Sequence, residues 1–158
     1  VLKVITGNIL SADEQYIAHQ CNCVSTTSAG LAKIIFTKWT HAECYYIRWA
    51  PDKPGTIEVR GDGKYHGRLI INMFAQYNPG KPQVADDPID GYQARKKYFI
   101  MCLNEIKKLN PISIAFPLYI GAGMAGGDHN FYKSALTKFA DSNINVVLYD
   151  LPQKQTIQ

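Results

Sequence analysis

A glycine run, Gly121-Ala-Gly123-Met-Ala-Gly126, lies between an apolar stretch ending at Phe116 and a helical stretch beginning near Phe131. Glycines there let backbone N–H groups approach an anion, and the N-terminus of the next helix adds partial positive charge. The spacing matches G-x-G-x-x-G. A dinucleotide-binding unit, however, needs that loop after its first strand, with an acidic residue about 20 positions later. With the loop at residue 121 of 158, too little chain follows for such a fold. Phosphate binding is retained, with a plain tight turn as the alternative, and a nicotinamide cofactor is set aside. A second small, polar loop, Val24-Ser-Thr-Thr-Ser-Ala-Gly30, also leads from a strand into a helix. Two such loops in one small domain can grip the two phosphates of a pyrophosphate.

His19, Cys21 and Cys23 alternate, so on a strand they share one face. Zinc needs four N or S ligands, and only His41 and Cys44 could complete such a set, from a separate segment. The spacing matches no strong zinc pattern, and the cysteines read better as small apolar residues. His19 is either a working imidazole or a hydrogen-bonded core histidine.

The elements that must position these residues follow from periodicity. Leu2-Lys3-Val4-Ile5 reads as a first strand stopped by Gly7-Asn8. Tyr16–Cys21 is mostly apolar, as in a strand buried on both faces. Leu31–Trp39 is the helix after the polar loop. Thr56–Arg60 and Arg68–Phe74 flank Gly61-Asp-Gly-Lys64, a hairpin signal. Tyr77–Asp90, rich in Pro and Asp, is an irregular loop. Tyr92–Leu109 is the clearest helix, with Phe99, Cys102, Leu103, Ile106 and Leu109 on one stripe and its lysines on the solvated side. Ile112–Phe116 is a buried strand, Phe131–Ala140 a helix that Asp128 can cap, and Ile144–Tyr149 a last strand. The aromatic run Trp39, Tyr45, Tyr46 and Trp49 reads as core or sheet-edge packing in preference to a base-stacking surface.

Strands alternating with helices predict an α/β protein: a three-layer α/β/α sandwich with a mixed, mostly parallel central sheet. The 158 residues make one domain, 1–158, with a loosely ordered tail at 152–158. Hydrophobic residues at 46% and charged residues at 19% exclude disorder, collagen and coiled coil. The net charge of +4 suits a polyanionic small molecule or weak nucleic-acid contact. Four cysteines are too few for a disulfide scaffold. No apolar run reaches the roughly 18 residues of a membrane span, so no membrane partner is expected. The expected setting is reduced and intracellular, in the cytoplasm or a eukaryotic nucleus.

Over nearly its whole length the sequence resembles a macro domain, the ADP-ribose-binding fold. The resemblance is carried by Thr6-Gly7-Asn8-Ile9-Leu10, by Ile17-Ala-His19-Gln-Cys21-Asn22-Cys23 leading into Ser28-Ala29-Gly30-Leu31-Ala32, and by Phe116-Pro117 through Gly121-Ala-Gly123-Met-Ala-Gly126-Gly127. The His-x-Cys-Asn-Cys stretch and the asparagine of Gly-Asn-Ile are similar to the yeast-type ADP-ribose-1''-phosphate phosphatase. The Gly-Gly-Asp closing the second loop is similar to phage and bacterial members of that branch. The first loop departs from the family in carrying fewer glycines. Where the lysine-dependent glycohydrolases carry a lysine after the middle strand, this chain has Phe74-Ala75-Gln76.

The resemblance implies that Asn8 and Ile9 face the adenine and that Asn22 contacts the distal ribose. It places Ala29, Gly30, Leu31 and Ala32 as donors to one side of the pyrophosphate. Pro117, Gly121, Ala122, Gly123, Met124 and Ala125 would form the other wall, and a residue of Tyr149–Leu151 would pack on the adenine. Tyr119 borders the second loop, and Tyr77–Gly80 could close over the distal ribose. His19 is the leading catalytic candidate, as nucleophile or base, with Asp128 as an acid or water-orienting group and His129 as a weaker candidate. The first functional expectation is hydrolysis of ADP-ribose-1''-phosphate without a cofactor. The alternatives are a non-catalytic module for ADP-ribose or an ADP-ribosylated macromolecule, and an ADP-ribosyl hydrolase acting on protein or DNA. Nucleic-acid binding through the basic excess comes last.

Overall fold

A computed structural model describes residues 1–140 and 143–151; the expected loose tail, 152–158, lies outside the described residues. Six strands form one sheet in the order β1-β6-β5-β2-β4-β3. They are β1 Leu2–Thr6, β2 Tyr16–Asn22, β3 Ile57–Arg60, β4 Ile70–Gln76, β5 Ser113–Pro117 and β6 Asn145–Asp150. All neighbouring pairs are parallel except the β3–β4 hairpin. Central β2 and β4 are buried along almost their whole length, as their apolar composition requires of strands covered on both faces.

The side chains of β2 alternate between two cores. Tyr16 and Ala18 enter one core, while Ile17 and Cys21 enter the other. Helices α2 (Tyr92–Lys107) and α3 (His129–Ala140) fill the first core, with Phe99, Leu103 and Ile106 from α2 and Tyr132, Leu136 and Phe139 from α3. Helix α1 (Gly30–Lys38) fills the second with Ile35 and Phe36. The result is the expected three-layer α/β/α sandwich. No helix among the described residues is long and apolar enough to cross a membrane.

Two differences from the sequence expectation have clear causes. Short 3-10 turns, Ile9–Ser11 and Thr40–Ala42, are too brief to leave a periodic signal. The aromatic run divides: Tyr45 is buried, but Tyr46 and Trp49 are 78% and 95% exposed. Between them Arg48 turns inward. Its guanidinium donates to the carbonyls of Ser25 and Asn22 and to Asp52, and it stacks over the Tyr45 ring. The segment is thus anchored by a cation, and its neighbouring rings point outward.

Candidate functional site

A cleft of about 960 Å³ crosses the C-terminal ends of five neighbouring strands, meeting Thr6, Asp150, Pro117, Asn22 and Gln76 in turn. Open α/β sheets present their ligand sites at this edge. Among the described residues no Lys or Arg lines the cleft, and Asp150 is its one carboxylate. An anion held here meets backbone dipoles and neutral polar side chains in place of cations.

The first loop supplies such dipoles. Asn22 Oδ1 accepts from Val24 N at 3.1 Å and Ser25 N at 2.8 Å, folding the chain sharply after β2. Its own N–H donates to Tyr45 Oη at 2.8 Å. Ala29 is extended and caps α1 without a side-chain hydrogen bond. The N–H groups of Gly30, Leu31 and Ala32 therefore open the helix with no intrahelical acceptor, and all three residues line the cleft, as does Ala29. Gly30 has φ +58°, and a Cβ there would stand 2.5 Å from Met124 Sδ.

That contact joins the two loops, since Met124 reaches from the second loop onto the first. The second loop is a series of tight turns. Ala122 and Gly123 both donate to Tyr119 O, Gly126 donates to Gly123 O, and Gly127 to Gly121 O. Among the described residues this leaves Met124 and Ala125 with N–H groups that no backbone carbonyl takes. Gly121, at φ +77°, packs so close to Tyr132 that a Cβ would fall 2.7 Å from the ring. Pro117, Gly121, Gly123, Met124 and Ala125 line the cleft, but Ala122 does not. The following helix is not the anion site either. Asp128 Oδ1 accepts from Asn130 N at 3.1 Å, so a carboxylate already occupies the N-terminus of α3.

At the β1/β6 end stand Asn8, Ile9 and the Tyr149–Leu151 segment. Asn8 Oδ1 accepts from Leu10 N at 2.9 Å, which commits its oxygen to the 3-10 turn and leaves its NH₂ for a ligand. Tyr149 donates to Glu14 Oε1 at 2.6 Å. Burial, then the bond to Glu14, raises its phenol well above the ordinary value.

The β2/β4 end is lined with amides. Gln20 Nε2 donates to Gln76 Oε1 at 2.6 Å, and Gln76 Nε2 donates to Asn78 O at 2.9 Å. Asn22, Pro79 and Gly80 complete this end. His19 borders the cleft but is only 1% exposed. Its Nε2 lies 2.6 Å from Asn72 Oδ1. Because Asn72 Nδ2 donates to Ala42 O and Glu58 Oε1, Oδ1 must accept, and the imidazole proton is assigned to Nε2. Burial lowers the His19 pKa from 6.5 to about 4, against a smaller upward effect of Asn72. The ring is neutral near pH 7, and its Nδ1 lies 3.8 Å from Cys21 Sγ.

The two catalytic candidates expected from sequence, His19 and Asp128, sit in different surroundings. His19 is a buried, hydrogen-bonded histidine. Asp128 is exposed, caps α3 and does not line the cleft. His129 packs its ring 4.7 Å from that of Tyr119. His41 Nε2 donates to Arg68 O at 2.8 Å, and no cluster of His, Cys, Asp or Glu able to hold a metal occurs among the described residues.

No family model matches the sequence. A phage T4 protein described as an uncharacterized 17.5 kDa protein of the tk-vs intergenic region is 27% identical over 163 residues, covering 95% of this chain and 96% of that protein. The macrodomain of Mycobacterium tuberculosis DarG superimposes with a TM-score of 0.73 at 21% identity, over 95% of this chain and 97% of that one. The chain has the macrodomain fold. Thermosipho africanus DarTG, solved in complex with ADP-ribose, matches with a TM-score of 0.71 at 14% identity, over 99% of this chain and 43% of that one. Within this fold, three residues escaped the sequence reading. Gln20 and Gln76 pair across strands, and nothing in their local sequence announces it. Arg95 was legible in principle. It continues the buried stripe of Phe99, Cys102 and Ile106 one turn earlier, and a cation on an apolar stripe signals a buried ion pair.

Proposed function

We propose that the cleft binds ADP-ribose, with adenine at the β1/β6 end, the pyrophosphate between the loops and the terminal ribose at the β2/β4 end. One observation carries this reading. Gly30, Leu31 and Ala32, whose N–H groups have no intrahelical acceptor, line the same cleft as Met124 and Ala125, whose N–H groups no backbone carbonyl takes, and among the described residues no Lys or Arg lines it. Such a wall suits an anion held by dipoles. The cleft is near the upper size for a small-molecule site and has apolar residues, Ile9 and Leu151, where a flat base would lie. The DarTG complex with ADP-ribose supports the choice of ligand by fold analogy.

Calorimetric titration with ADP-ribose tests this. A saturable 1:1 heat is expected, and its absence in a folded sample overturns the reading.

A second reading, hydrolysis of ADP-ribose-1''-phosphate, draws on the similarity of the His19–Cys23 stretch to the phosphatase branch and on His19 bordering the terminal-ribose end. It requires His19 to give up Asn72 or to act through Nδ1, and it requires an acid other than Asp128. Binding without turnover asks for no such rearrangement and is the reading the geometry supports best. Phosphorus NMR of the protein mixed with the phosphorylated compound separates the two, since growth of inorganic phosphate decides for hydrolysis.

A further inference from the structure

The amide-lined end of the cleft contains an unsatisfied group. Gln20 Oε1 is buried and has no hydrogen-bond partner, although Gln20 lines the cleft and its Nε2 is bound to Gln76. A buried acceptor without a partner carries a desolvation penalty and calls for an explanation. Its orientation is held from behind. Gln76 Nε2 donates to the carbonyls of Asn78 and Gly80, and Arg95 donates to the same two carbonyls. Turning the Gln20 amide over would set its oxygen against Gln76 Oε1.

We infer that Gln20 is a specificity-determining residue whose Oε1 accepts a hydrogen bond from the anomeric 1''-hydroxyl of the ligand's terminal sugar, selecting a free terminus over a phosphorylated one. The inference rests on the ADP-ribose reading. The oxygen is shielded from solvent, so accepting the hydroxyl requires the glutamine pair to shift. A hydroxyl can donate to this oxygen, whereas a phosphate dianion offers only acceptors. Among the described residues no Lys or Arg lines the cleft to offset that mismatch. Arg95 is committed to Asp90 and the loop carbonyls, and Lys81, whose stem lies against Gly126, stands outside the cleft wall.

The test is calorimetry of ADP, ADP-ribose and ADP-ribose-1''-phosphate on wild type and on Gln20→Met. ADP lacks the terminal ribose and serves as the control for folding and for the rest of the cleft. Wild type is expected to bind ADP-ribose about tenfold more tightly than its 1''-phosphate. Gln20→Met is expected to weaken ADP-ribose about 5–10-fold while leaving ADP unchanged. Equal weakening of ADP and ADP-ribose, or no weakening of either, overturns the inference while leaving the binding reading intact. If wild type binds none of the three, the binding reading fails and this inference with it. Should Gln20→Met not fold, the wild-type comparison decides, and a 1''-phosphate bound as tightly as ADP-ribose, or hydrolysed, overturns the inference.

Discussion

Replacing Arg95 with Met should unfasten the rim of the cleft from α2. Arg95 and Asp90 form a buried pair, with side chains 2% and 3% exposed and Nη2 to Oδ2 at 2.8 Å. Nε also donates to Asp90 Oδ1 at 3.0 Å, Nη1 to Gly80 O at 2.6 Å and Nη2 to Asn78 O at 3.1 Å. Removing one partner of a buried ion pair costs about 3–5 kcal/mol, because the other charge stays behind unpaired. Two features place this site at the lower bound. Asp90 Oδ1 keeps the Tyr77 N–H at 2.7 Å, and the Asn78 carbonyl keeps Gln76 Nε2 at 2.9 Å. A loss of about 3 kcal/mol corresponds to a fall in Tm of roughly 6–12 °C for a domain of this size. Thermal and urea unfolding measure it. ADP-ribose titration on the folded fraction should show weaker binding, since Pro79 and Gly80 line the cleft. Arg95→Lys should lie between, keeping the charge but losing the planar fork. The double variant Asp90→Asn/Arg95→Met should be less destabilised than the sum of the single changes. A Tm for Arg95→Met within about 2 °C of wild type, less than 1 kcal/mol, would refute the buried-pair account.

Other expectations follow from the same geometry. Gly30→Ala places a side chain in a left-handed conformation and against Met124 Sδ. It should cost about 1–2 kcal/mol of stability and weaken ADP-ribose binding about tenfold or more, read by melting and calorimetry. Asp128→Ala removes a helix cap and should cost about 1 kcal/mol while leaving ADP-ribose affinity unchanged; a large loss of affinity would return Asp128 to the site. His19 titrates at about 4 when folded, against an ordinary 6.5. Between those values the unfolded chain binds the proton and the folded chain does not, so stability is full above the upper value and falls as pH drops through the window. The loss approaches roughly 3 kcal/mol. Urea unfolding at several pH values should show this extra dependence in wild type and not in His19→Gln.

Much of the fold was legible because it rests on local rules. The apolar run of β2, the stripe of α2, the hairpin around Gly61-Asp-Gly-Lys64 and the Asp128 cap each follow from residues within a few positions of one another. So do the two turns at which glycine is required, since a left-handed φ is a property of a single residue. By these means the sequence alone determined the layers of the sandwich and the two loops that face each other across its edge.

The working chemistry of the edge was decided by the tertiary structure. The state of His19 depends on Asn72, 53 positions away, which parallel pairing sets directly opposite it on β4. Gln20 meets Gln76 across 56 positions at the strand ends, where the β2/β4 register slips between Cys21 and Asn22. Arg48 turns inward and Trp49 outward because two carbonyls and Asp52 await the guanidinium at the first loop. Among the loop N–H groups, those still open to a ligand are the ones the turns do not consume, and that depends on how the folded loop closes on Tyr119 O. Spacing along the chain shows which residue types are available. Strand register and packing determine which of their donors and acceptors are already satisfied, and hence which remain for a ligand.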